Sequence, residues 1–415
     1  MADRGGFRVR RVGKALPPFG DDFVNIEALS GIVLLGAAIA ALAWANVAEV
    51  SYVDFWHHAV DLSFGPFDLD LSRAHWVTDG LMTLFFFVVG LEIKREVVRG
   101  ELRDPRTAAL PVVAAVGGMV VPALLFVAVN VGEPTIKGWA IPMATDIAFA
   151  VGVLAILGSR VSRSLKLFLL TLAIVDDIGA ILVIAVFYSK GIEFGWLAAA
   201  IGVVAVILAL QRLGVGSPLA YVLPALTLWL FVDQSGVHAT IAGVILGLLT
   251  PARPFGGTQV IEGLEHRLHP WSSFVVVPLF ALANAGVVID SETVRRAASS
   301  PVAIGVVVGL VIGKPLGITL ATAVGARLGV GRLPEGMGWR QVVGVGAVAG
   351  IGFTVALFVD DLSFAGPSFD DAVLGILVGS LVSGIVGAVI LGTGRAAREA
   401  AGTATAPPSG PAAGS

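Results

Sequence analysis

Twelve apolar stretches, each close to the length that crosses a bilayer, limit this chain more than any other feature of its sequence. They lie at about 29 to 47, 75 to 93, 108 to 130, 138 to 158, 165 to 188, 194 to 211, 218 to 232, 236 to 250, 272 to 289, 301 to 325, 340 to 359 and 372 to 393. In lipid every backbone N–H and C=O must find its partner within the chain, so runs of this kind read as helices. Hydrophobic residues fill 56% of the 415 positions and charged ones only 14%, well away from the roughly half and a quarter of soluble domains. The fold class read from this is an all-α polytopic membrane protein of about twelve spans.

An even number of spans puts both ends of the chain on one side. Of the 27 Lys and Arg residues, 21 fall in the tails, in the loops that leave even-numbered spans or, as Lys166 and Arg340, at the span ends beside those loops, 5 in the opposite loops, and Lys314 deep inside a span. By the positive-inside rule both termini are cytoplasmic. Residues 1 to 28 read as an uncleaved cytoplasmic tail, because the polar stretch Asp21 to Glu27 separates the early arginines from the first apolar run and no small-residue cleavage site follows that run. Residues 29 to 393 form the membrane domain. From 394 to 415 the chain is too poor in apolar residues to pack and reads as a disordered cytoplasmic tail. There are 0 cysteines, which excludes disulfides, zinc clusters and a thiol nucleophile. No Gly-x-x-x-x-Gly-Lys-Ser/Thr loop is present, so the chain does not draw on ATP through such a site. The charges form no basic face for nucleic acid.

The external segment between the first two spans alternates Leu62, Phe64, Phe67, Leu69 and Leu71 with polar residues around Gly65-Pro66. Residues 61 to 71 therefore read as a β-hairpin. A lone hairpin is marginal in water, so it either meets the same hairpin of a second copy or folds over its own helix ends. The spans at 138 to 158 (Gly138, Pro142, Thr145) and 340 to 359 (Gly344, Gly346, Gly350, Gly352) read as broken helices. They are the middle members of two three-helix units, spans 3 to 5 and 10 to 12. A shift of seven spans reverses orientation, which is inverted-repeat topology, with sites formed at the breaks. For the second of these spans, glycine-mediated close packing is the competing reading.

Asp146, Asp176, Asp177 and Lys314 all lie inside spans. Each costs several kcal/mol there if unpaired and facing lipid, so a functional role is the default reading. A structural ion pair accounts for one carboxylate with Lys314 and leaves two in surplus. Surplus negative charge in the membrane points to a cation site. Neighbours on a helix point about 100° apart, so Asp176 and Asp177 have different partners. A buried carboxylate beside another can be either protonated or cation-bound near neutral pH, and exchange of one cargo for the other follows from that competition. If the two broken helices cross, Asp146 offsets their facing N-termini and Lys314 their C-termini. Direct ion binding by Asp146 stands as an equal alternative.

These strings resemble the NhaA family of sodium/proton antiporters. The resemblance covers roughly residues 20 to 394 and rests on DGLMTLFFFVVGLEIKRE from Asp79, ATDIAFAVG, LAIVDDIGAI, SGVHATIAGVILG, LEHRLHPW, VPLFALANAG, GKPLGI and GIGFT. It implies that Asp176 and Asp177 carry the ion and the proton, that Lys314 pairs with Asp176, and that Thr145 and Asp146 belong to the crossing. It also implies electrogenic exchange of Na+, and of Li+, for H+ in the bacterial inner membrane, no cofactor, and a homodimer joined through the hairpin. Regulation by pH would fall to Glu92, Arg95 and Glu96 after the second span and to Glu265, His266 and His269 before the ninth. A histidine titrates in the range such a role needs. The same loop departs from the family's pattern, with Gly256, Gly257, Thr258, Ile261 and Gly263 where basic residues are expected.

Two rivals come from other classes. An intramembrane aspartyl protease needs two facing carboxylates, which Asp146 and Asp177 could imitate, but the Gly-x-Gly-Asp type of motif is absent. A passive cation channel would present carbonyls or charges along an open pore rather than carboxylates at broken helices.

Overall fold

The computed structural model describes residues 21–61, 70–189, 191–252, 259–334 and 336–403. Among them the chain is almost wholly helical. The principal helices are α1 (Asp21–Val47), α2 (Arg73–Arg99), α3 (Pro105–Val129), α4 (Ile147–Leu157), α5 (Arg163–Phe187), α6 (Phe194–Arg212) and α7 (Leu219–Gln234). They continue with α8 (Thr240–Leu249), α9 (Val260–Trp271), α10 (Val277–Asn284), α11 (Pro301–Arg327), α12 (Trp339–Ala349), α13 (Phe353–Ser363) and α14 (Pro367–Thr403).

Among the described residues seven helices are long and apolar enough to cross a membrane, and two bent pairs bring the number to nine; α7 and α8 are shorter apolar helices. Their outward faces carry Ile32, Leu124, Leu223 and Ile385, each more than half exposed. Large aliphatic side chains exposed on face after face suit lipid and not water. The chain is a multi-pass membrane protein.

Helix starts follow local chemistry. Asp104 caps α3 by accepting from the Arg106 N–H at 3.0 Å, with Pro105 in the first position, and Ser162 caps α5 through the Leu165 N–H at 3.3 Å. Helix α1 begins at Asp21, so the polar stretch assigned to the tail is already helical and brings Glu27 into the fold at 4% exposure. At the other end α14 runs on to Thr403, past the expected end of the last span at 393. Residues 404–415 lie outside the described residues.

Both spans read as broken are broken. Pro134–Met143 meets α4 at 42° and α12 meets α13 at 47°. Between the halves run Ala144-Thr145-Asp146 and Gly350-Ile351-Gly352, and the two breaks touch: the Asp146 N–H donates to the Ile351 carbonyl at 2.6 Å. Glycine is needed where α3 crosses α11. A methyl group on Gly117 of α3 would collide with the Gly317 carbonyl of α11, and one on Gly317 with the Gly117 carbonyl. That pair of backbones in contact fixes the depth of α11.

Strands β1 (Ala59–Asp61) and β2 (Asp70–Ser72) pair antiparallel, Ala59 with Ser72, Val60 with Leu71 and Asp61 with Asp70. The expected hairpin is thus present at its base and starts two residues earlier than read from the sequence. Its alternating residues Leu62 to Leu69 and the Gly65-Pro66 turn lie outside the described residues.

Candidate ion site

Helix α5 carries Asp176 and Asp177 into the middle of the bundle. Asp176 is fully buried. Its Oδ2 forms an ion pair with Lys314 Nζ and accepts from the Thr145 hydroxyl at 2.6 Å, while Oδ1 meets no donor among the described residues. Lys314 is equally buried and also donates to Thr145 at 3.0 Å. It follows a widened π-helical turn at Gly309–Gly313 and precedes Pro315, a local irregularity of the kind found at functional positions in helices. The Thr145 hydroxyl lies 2.8 Å from the Ala349 carbonyl at the end of α12, so its single proton serves one of two acceptors at a time.

Asp146 works on the other side of the crossing. Its Oδ1 accepts from the Phe149 N–H at 3.2 Å and caps α4; its Oδ2 accepts from the Thr354 N–H at 3.0 Å and the Thr354 hydroxyl at 2.6 Å at the start of α13. One carboxylate therefore meets two helix N-termini, where negative charge is favoured. Lys314 reaches the opposing C-termini less directly, through Thr145, which in turn contacts the Ala349 carbonyl.

Asp177, one step along α5, points elsewhere. No hydrogen bond reaches its carboxylate among the described residues, and it lines a cavity of about 70 Å³ shared with Asp146, Thr354, Glu92, Glu27 and His269. At the mouth of this cavity His269 Nε2 lies 2.8 Å from Glu27 and 3.9 Å from Glu92. Burial disfavours the charged His269 ring, but the hydrogen bond to Glu27 and the charges of Glu27, Glu92 and Glu265 outweigh it and push the ring up to about 9. Arg95 pairs with Glu96 at 3.1 Å and with Glu265, and Glu96 accepts from the Glu101 N–H at 3.0 Å. Burial pushes the Glu265 carboxyl up, against the opposing effect of Arg95.

Of the residues singled out in the sequence, Thr145, Asp146, Asp176, Asp177 and Lys314 meet at the crossing, and Glu92, Arg95, Glu96, Glu265 and His269 form one charged group beside the cavity. His266 stays on the exposed outer face of α9. Gly256, Gly257 and Thr258 lie outside the described residues. Two members were missed. Glu27 was read as tail; a helix start moved back by one turn would have found it. Thr354 stands just after the second break as Thr145 stands at the first, a parallel already visible in GIGFT and ATDIA.

A family model for Na+/H+ antiporter 1 matches residues 21–391. The chain belongs to the Na+/H+ antiporter 1 family. It is 45% identical over 409 residues to Na(+)/H(+) antiporter NhaA 2 of Sorangium cellulosum, covering 88% of this chain and 87% of that protein. Similarity to NhaA 2 of Pseudomonas syringae pv. syringae is 48% over 374 residues, with 89% and 93% covered, and to NhaA of Escherichia coli 46% over 371 residues, with 88% and 95% covered. Membership of the Na+/H+ antiporter 1 family makes this chain a transporter and not an enzyme, so the protease reading falls. With bacterial relatives and a helical rather than barrel architecture, it is a multi-pass protein of the bacterial inner membrane.

Proposed function

We propose that this antiporter exchanges sodium, and also lithium, for protons by alternating access, with Asp176 and Asp177 as the pair that carries both cargoes. The observation that supports this best is the contrast between two adjacent carboxylates, Asp176 held by Lys314 and Asp177 at the cavity wall with no hydrogen bond among the described residues. A sodium ion entering from the cavity meets Asp177 first and then the free Oδ1 of Asp176. Binding there favours release of the ammonium from Asp176, and loss of the ion lets Lys314 and a proton on Asp177 restore the balance of charge. Moving more protons than sodium ions per cycle makes the exchange electrogenic. Asp146 and Thr145 hold the crossing in register around the site.

Twelve spans, six of them in two inverted three-helix repeats (spans 3 to 5 and 10 to 12), with both termini cytoplasmic, form the scaffold in this reading. Glu92, Arg95, Glu96, Glu265 and His269 set the pH response at the cytoplasmic mouth. A second copy docks on the β1–β2 hairpin, which is too small to be stable in water by itself. The test is proton flux driven by sodium or lithium in everted vesicles from acid to alkaline pH. Cation-dependent flux against an imposed proton gradient is expected. Cation movement with no coupled proton movement would return the channel to first place.

A further inference from the structure

Helix α13 holds a further buried carboxylate that the site above does not use. Asp360 is fully buried, and neither of its oxygens meets a hydrogen-bond donor among the described residues. An ionised carboxylate left without donors in a protein interior is strongly disfavoured, so the group is carried as the neutral acid. The groups around it do not change that. Asp361 on the same helix and Asp370 on α14 add negative charge. Arg296 is engaged by Asp371 at 2.9 Å and lies 3.8 Å from Asp370, and the Lys137 ammonium sits 5.4 Å over the Phe364 ring. The nearby hydroxyls face backbone carbonyls, Tyr188 donating to Lys137 O at 2.9 Å and Ser363 to Val359 O at 2.6 Å. A sodium ion needs several oxygens and does not find that shell assembled here. A proton needs one.

The position along α13 completes the case. Thr354 in its first turn is bonded to Asp146, and Asp360 lies six residues farther from the break, about 9 Å along the axis. Beyond it the partly exposed Asp361 and Asp370 lead to the end of the helix.

We propose that Asp360 is a proton-binding relay between the external medium and the Asp176–Asp177 site. This rests on the orientation proposed above, which makes the far end of α13 external. Asp360→Asn keeps the shape of the neutral acid but cannot carry a proton, whereas Asp360→Glu can. In proteoliposomes Asp360→Asn should lower sodium-driven proton flux at least about tenfold, a threshold set below the roughly 100-fold that is the low end of what a positioned acid or base contributes. The loss should be deepest when the compartment facing the end of α13 is alkaline, and Asp360→Glu should recover much of the rate. Sodium-induced thermal stabilisation should be unchanged in both.

Because the chain has no cysteine, Ala365→Cys with an impermeant thiol reagent identifies that compartment independently. Wild-type flux from Asp360→Asn at every pH overturns the relay, as does a loss of flux that comes with loss of sodium stabilisation. If the loss tracks the compartment facing Ala365 but labelling shows it to be cytoplasmic, the relay stands and the orientation falls.

Discussion

Asp176 and Asp177 are neighbours in sequence and opposites in setting, and their substitutions should separate cleanly from folding. Asp177→Asn removes the charge at the cavity wall without breaking any bond to the carboxylate, so sodium-dependent proton flux should vanish while the melting temperature holds. Robust flux from that variant would end the mechanism. Lys314→Ala acts differently, since it strands a buried carboxylate, and breaking such a pair typically costs about 3 to 5 kcal/mol. Thermal stability should fall. Apparent sodium affinity should fall too, most at low pH, because sodium then competes with a proton that the ammonium no longer displaces. Unchanged melting and affinity at every pH would dissolve the pairing. His269 offers a test with a defined sign: its folded value of about 9 lies above the ordinary 6.5. The Glu27–His269 pair therefore stabilises fully below pH 6.5 and loses that contribution as pH rises through about 9. The gap in melting temperature between wild type and His269→Gln should close across that window. A gap that widened with pH would contradict the pairing.

Among the elements, α3 and α11 cross with their backbones in contact at Gly117 and Gly317, three residues from Lys314 on the same helix. Gly317→Val must push the helices apart, and overpacking of this kind typically costs about 1 to 3 kcal/mol. The shift also moves Lys314 away from Asp176, so sodium affinity measured by thermal stabilisation should drop along with stability. A variant with lower stability and full affinity would uncouple that crossing from the site. The breaks themselves were legible in the sequence, because Pro and Gly in an apolar run advertise backbone that cannot stay helical. The charged site residues were legible for the reason that ions in lipid need a purpose. Glu27 was not legible, since a polar residue at the edge of an apolar run looks the same whether it is solvated or folded against a partner 242 positions away such as His269. Nor were the π-helical turns at Trp76–Leu81 and Gly309–Gly313, which arise from packing against other helices and leave no pattern in composition.

At the scale of the whole molecule, the hairpin lies outside the membrane-spanning helices. Deleting residues 61 to 71 should shift detergent-solubilised protein from dimer to monomer more than it reduces transport per protomer. An unchanged dimer mass would assign the contact to another surface. The base of that hairpin was foreseeable from alternation, whereas the way the broken spans meet was not: it depends on contacts between residues two hundred positions apart. Those contacts carry a mechanical consequence. Asp146 binds Ile351 and Thr354, and Thr145 reaches Ala349, so each break is riveted to the other as well as to its own helix halves. Neither break can open alone like a hinge. In the proposed cycle the crossing travels as one stiff strut, and α5 slips past it by an amount small enough to keep every rivet closed.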